Sequence, residues 1–228
     1  LRTNSALSAR FRDLQGQTIW DANGNALVTP ASQLNPSGDE ERYIVLYDQS
    51  TGTPGTFGSD NVAGGAENDV IFGQLGNDTI QGDGSTLDDT GAMTVDVLGT
   101  RMSVEDYAGI GRDGRDYIEG NGGNDTIFGD LGQDDLIGGS SDLYSLTSPS
   151  QRPDGSDTIL GGAGTRLLRD NYGDLSGSGH AHDADTILGD NGDIFDLLGP
   201  NGAFLTFNYD TYSSSERMIP RALSLLRA

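Results

Sequence analysis

The chain has no cysteine, no lysine, only two histidines and a single tryptophan. Without cysteine it can form neither disulfide staples nor a thiolate metal site, so a fold with a small core must draw stability from elsewhere. Thirteen basic residues, all arginine, stand against 35 acidic ones, for a formal net charge of −22. That balance excludes nucleic acid as a partner, because a phosphate backbone is held through arginine and lysine. It also sets the chain against an anionic membrane surface. No stretch approaches the ~18 apolar residues of a spanning helix, so membrane insertion is not expected. No G-x-S-x-G elbow, H-E-x-x-H helix or phosphate-cradling loop occurs, and the chain is expected to be no enzyme, with no catalytic residue. His180 and His182 can share a strand face, but a catalytic zinc site needs a third protein ligand and an open position. They read as polar turn residues.

Glycine and aspartate fill the space these absences leave: 35 glycines, and 29 aspartates against six glutamates. The short carboxylate is the one that fits a tight turn as a ligand. Nonapeptides of the form GGxGxDxUx, with U a large apolar residue, recur through the middle of the chain. The clearest are GGAENDVIF from Gly64, GQLGNDTIQ from Gly73, GNGGNDTIF from Gly120 and GDLGQDDLI from Gly129. Glycines at the first, second and fourth places let the chain turn through angles a Cβ forbids and present carbonyl oxygens to the loop. Calcium takes six to eight oxygens at about 2.3–2.6 Å, and the sixth-place aspartate adds carboxylate charge to those carbonyls. Asp60, Asp69, Asp78, Asp116, Asp125, Asp134, Asp157 and Asp185 hold that place, with Gly64, Gly65, Gly73, Gly82, Asp83, Gly120, Gly122 and Gly129 in the turns around them. The eighth place is apolar (Val62, Ile71, Ile80, Ile118, Ile127, Leu136, Ile159 and Ile187), which suits a three-residue strand with one side chain inward. Two units then make one coil of an all-β parallel roll. Without calcium, carboxylates stacked roughly 4.8 Å apart repel, and disorder is expected instead.

The repeat is expected over residues 55–199, interrupted near 85–110, 140–151 and 170–179. Asp83-Gly84 reads as a turn left incomplete, and the pattern resumes with GRDGRDYIE from Gly111. GGAGTRLLR from Gly161 places Arg166 where the aspartate belongs, so that turn is expected to hold no ion. In the last unit, GDNGDIFDL from Gly189, Ile194 stands at the ligand place and the register is shifted. Insertions in solenoids tend to emerge on one face. Residues 1–54 read as a β-rich cap or flanking segment, with a hairpin across Gln17–Val28 around an Asn-Gly turn and a strand from Arg42 to Asp48. Residues 200–228, with a strand-like run from Ala203 to Tyr209, read as the C-terminal cap that the open end of a repeat core needs. The chain opens on Leu1 with no basic-then-apolar leader and reads as a segment of something longer.

The units resemble the hemolysin-type calcium-binding (RTX) repeat family of bacterial proteins, exported by one-step secretion systems and found in toxins, proteases, lipases, adhesins and surface-layer proteins. The resemblance implies a right-handed parallel β-roll, several calcium ions between successive turns, and export of an unfolded chain that folds in extracellular calcium. Ligand roles carry over directly to Asp69, Asp78, Asp125 and Asp134; the units of Asp60, Asp116, Asp157 and Asp185 have some glycines replaced. The expected function is a calcium-stabilised structural segment of a secreted or cell-surface protein (adhesin, surface layer or extracellular fibre). Besides calcium, its partners would be copies of itself or other surface proteins. The alternative is a non-catalytic accessory region of an exported protease, lipase or peroxidase.

Overall fold

A strand of three residues can turn one side chain inward and two outward, and an apolar eighth place every nine residues therefore builds a core one side chain thick. The computed structural model describes residues 10–17, 44–47, 49, 57–65, 67–83, 114–130, 132–162, 184–200, 202–206 and 218–227. Its strands are β1 (Phe11–Asp13), β2 (Asn61–Ala63), β3 (Val70–Phe72), β4 (Thr79–Gln81), β5 (Tyr117–Glu119), β6 (Thr126–Phe128), β7 (Asp135–Ile137), β8 (Thr158–Leu160), β9 (Thr186–Leu188), β10 (Gly192–Leu198) and β11 (Arg221–Leu225). Alternate units fall in opposite sheets. One sheet runs β2-β4-β6-β8 and the other β3-β5-β7-β9, every pairing parallel and in register. Ile71, Ile80, Ile118, Ile127 and Leu136 meet between the sheets, with Val62 and Ile159 packed against them. This is the parallel β-roll expected from the repeat. Its last inward residue, Ile187, is 44 % exposed.

A second core lies on the outer face of the β3-β5-β7-β9 sheet. Outward Tyr117, Ile137 and Leu188 cluster there with Tyr144 and Ile194, and Phe72, Ile44, Leu46 and Leu143 pack against them. Phe72, Tyr117 and Tyr144 meet edge to face, with centroids 5.0–6.3 Å apart, a favoured arrangement of ring quadrupoles. The two ends of the chain join on this flank. β1 pairs parallel with β10, and β10 antiparallel with β11. Buried Asp135 and Asp196 fasten this third sheet to the roll: Asp135 binds Arg10 at 3.1 Å and Arg221 at 2.8 Å, while Asp196 binds Arg115 at 2.8 Å and Arg221 at 3.3 Å. Burial works against the Asp196 charge, but the three neighbouring guanidiniums prevail and hold its pKa below the ordinary carboxylate value.

Several expectations are corrected. Ile44–Tyr47, the described part of the strand expected from Arg42 to Asp48, forms no strand: Ile44 and Leu46 pack against the second core while Val45 and Tyr47 are exposed. Leu46 N–H donates to the Tyr144 carbonyl, which ties this segment to a loop rather than to a strand. The last unit does not continue the roll with a shifted register. From Gly192 it becomes a seven-residue strand of the terminal sheet, because Ile194 faces the second core. Of the run expected from Ala203 to Tyr209, the described residues 203–206 form no strand but an isolated antiparallel bridge, Phe204 to Leu198. Of the hairpin expected across Gln17–Val28 only Gln17 is described, and His180, His182 and Arg166 lie outside the described residues.

Candidate metal centres

The first-place glycines explain themselves by what a side chain would strike. A Cβ on Gly120 would lie 2.5 Å from both Asp125 Oδ2 and the Gly138 carbonyl oxygen; on Gly73 it would lie 2.9 Å from Asp78 Oδ2 and 2.6 Å from the Gly120 carbonyl. The same overlap with an aspartate Oδ2 and the carbonyl one rung on recurs at Gly64 (Asp69, Gly82), Gly82 (Asp116, Gly129), Gly129 (Asp134, Gly161) and Gly138 (Asp157, Gly189). These are six cradles, three along each edge of the roll. Gly161 faces Asp185 Oδ2 alone, and Gly189 faces nothing within 4 Å.

The two oxygens of each carboxylate do different work. Oδ1 accepts the backbone N–H of the aspartate one rung earlier, at 2.8–3.1 Å: Asp78 from Asp60, Asp125 from Asp78 and Asp157 from Asp125 on one edge. On the other edge Asp116 accepts from Asp69, Asp134 from Asp116 and Asp185 from Asp134. Oδ2 of Asp69, Asp78, Asp125, Asp134 and Asp157 is buried and accepts no hydrogen bond. A buried carboxylate oxygen left so, beside a backbone carbonyl and in a space a methyl would fill, is a poor place for a proton donor and a good one for a hard cation. The residues fit calcium. A second ladder runs outside the first: Asn68, Asn77 and Asn124, one place before the aspartate, accept through Oδ1 from Arg115, Asn124 and Ser156 N–H at 2.7–2.8 Å.

The cradles also show where the insertions enter. The turn expected to be left incomplete at Asp83-Gly84 opens instead with Gly82-Asp83 and is completed by Gly114-Arg115-Asp116, with Gly114 N–H donating to Asp83 Oδ1 at 3.3 Å. Gly82, rather than Gly111, is thus the first residue of that unit. Gly138-Gly139 is completed by Gly155-Ser156-Asp157, and Gly161-Gly162 by Asp185. Arg166 therefore does not stand at the aspartate place of the Gly161 turn. Each insertion enters after the second place of a turn, and they leave from both edges of the roll, not from one face. Gly138, Gly161 and Gly189 were missed as cradle residues, although Gly138-Gly139 and Gly161-Gly162 repeat the Gly64-Gly65 pair directly after a strand triplet.

Asp60 is exposed and begins the first ladder. Gly65 has φ +104°, as a second-place turn residue requires, and Gln74, Asn121 and Asp130 adopt φ near 70° at the same place. Gly122 makes room for Leu75 and Pro153.

Burial pushes the cradle carboxyls up: Asp69, Asp78, Asp134 and Asp157 all rise from the ordinary value, chiefly by desolvation. Asp125 rises to about 7, through burial first, against the favourable Asp78 N–H bond and with repulsion from Asp157, Asp78 and Asp154. An unfolded aspartate titrates near about 3.9, so between about 4 and 7 the metal-free fold binds the extra proton and its stability falls as pH rises. Circular dichroism in chelator is expected to gain β signal as pH drops from 7.5 to 5. With calcium present the sign reverses, because protons compete for the same oxygens.

Residues 54–85, 110–142 and 154–167 match the family model of the RTX calcium-binding nonapeptide repeat, in four copies. No curated protein and no solved structure matches the chain.

Proposed function

We propose, from the premise that these segments are RTX calcium-binding nonapeptide repeats, that the chain is a calcium-stabilised structural segment of a secreted or cell-surface bacterial protein, folding where calcium is plentiful. The observation that carries this reading is the buried Oδ2 of Asp69, Asp78, Asp125, Asp134 and Asp157, each without a hydrogen bond and beside a glycine. Bound calcium supplies positive charge between carboxylates that otherwise repel. Asp69, Asp78, Asp116, Asp125, Asp134 and Asp157 offer Oδ2, and the Gly82, Gly120, Gly129, Gly138, Gly161 and Gly189 carbonyls face them. Asp60 and Asp185 stand at the ends of the two columns with less of a cage. In Asp78, Asp116, Asp125, Asp134 and Asp157, Oδ1 stays on a backbone N–H and aims the second oxygen. The repeats themselves are structural and carry no catalytic chemistry.

Calorimetric titration of Asp125→Ala and Arg166→Ala tests the assignment. Asp125→Ala removes one ligand charge and is expected to weaken calcium binding about tenfold at that site. Arg166→Ala is expected to leave calcium stoichiometry unchanged. Equal effects of the two substitutions on calcium binding would show that the Asp125 carboxylate is not a calcium ligand.

A further inference from the structure

Four of the six cradles unite a glycine and an aspartate of one nonapeptide, but Gly138 and Asp157 are separated by an excursion, Ser140–Asp154, that leaves the roll and returns. The excursion is packed. Ser140 and Ser141 are buried, Leu146 is fully so, and Tyr144, 6 % exposed, meets Phe72 and Tyr117 edge to face in the second core. Its two ends are tied to different rungs. Gly138 N–H donates to the Leu188 carbonyl at 2.9 Å, while Thr158 N–H donates to the Asp125 carbonyl at 2.8 Å. They meet at the cradle, where a Gly138 Cβ would lie 2.5 Å from Asp157 Oδ2, a buried oxygen without a hydrogen bond. The Gly189 carbonyl closes the same space from the root of β10.

We propose that the Gly138–Asp157 turn is a calcium-operated clasp, in which closing the cradle between the Asp157 carboxylate and the Gly189 carbonyl fastens the Ser140–Asp154 excursion and holds Tyr144 on Phe72 and Tyr117. The proposal rests on the calcium reading above and adds a division of labour among the sites. An uninterrupted turn closes within nine residues, whereas this one must also bear the loop-closure entropy of the excursion. It therefore closes at higher calcium than the Gly120 and Gly129 turns, and the flank of the roll is completed only then. Linkage makes the coupling reciprocal: Tyr144 packing strengthens the cradle as much as the cradle strengthens Tyr144 packing.

Hydrogen exchange by mass spectrometry on the full chain over a calcium series tests this, comparing residues 141–148, 156–160 and 122–137. In the wild type, protection of 141–148 is expected at calcium several-fold above that which protects 122–137. Asp157→Ala should raise the calcium needed to protect 141–148 about fivefold or more while 122–137 shifts less. Tyr144→Ala keeps every ligand, yet should raise the calcium needed to protect 156–160 by a similar factor. Wild-type protection of 141–148 in Asp157→Ala, or an unchanged calcium dependence of 156–160 in Tyr144→Ala, overturns the clasp while leaving calcium folding of 122–137 intact. Absence of any calcium effect on 122–137 would instead overturn the calcium reading itself, and the clasp with it.

Discussion

Chelating calcium from the folded chain is expected to abolish its far-ultraviolet β signal cooperatively, and restoring calcium to recover it with a midpoint on the order of 10⁻⁴–10⁻³ M, the range of extracellular modules. The inner core is a double row of single side chains whose last member, Ile187, is 44 % exposed. So thin a core contributes little against chain entropy. Meanwhile the aspartates of each edge stack one strand spacing apart. Two unit charges roughly 4.8 Å apart at an effective dielectric of about 20 repel by about 3 kcal/mol, and each edge carries a column of them. Protonation relieves part of this, as the raised Asp125 pKa of about 7 indicates, but at neutral pH a cation does so more completely. A chain that keeps its β signal in chelator at pH 7.5 would falsify the claim that calcium holds the fold.

Gly120→Ala should be more damaging than loss of a ligand, and Gly189→Ala nearly silent. The added methyl on Gly120 has no torsion by which to avoid Asp125 Oδ2 and the Gly138 carbonyl, each 2.5 Å away. It occupies the cradle, displaces two oxygens at once and pushes apart rungs whose Gly120 N–H to Ile137 carbonyl bond is 2.9 Å. Calcium stoichiometry should fall by at least one, and the folding midpoint should rise about tenfold or more, above the effect of Asp125→Ala. Gly189 has the same place in its nonapeptide but nothing within 4 Å, and its carbonyl survives the substitution. A calcium titration followed by circular dichroism compares them. Similar midpoints for the two alanine variants would show that first-place glycines serve the backbone turn and not an ion.

The sequence by itself determined the roll. Nine-residue spacing of an apolar residue and an aspartate is local information: it sets strand length, the inward side chain and the turn, and Ile71, Ile80, Ile118, Ile127 and Leu136 meet as that spacing requires. Asn68, Asn77 and Asn124 precede the aspartate in three of the best units but were not singled out, because their ladder becomes visible only when rungs stack. What the sequence hid is whatever joins residues far apart in the chain. Local reading counted each turn as nine contiguous residues, and so gave Gly161 the phase of Arg166 and left the turn at Asp83-Gly84 unfinished. In the folded chain Asp185 and Asp116 take those places, because parallel stacking on the previous rung selects the partner. The terminal sheet was equally invisible. Arg10, Arg115 and Arg221 have no periodicity, and only the packing of β1, β10 and β11 on one flank brings them to Asp135 and Asp196. Short-range repetition specifies the rung; burial of charge and of aromatic side chains between distant segments decides what the rungs carry on their outside.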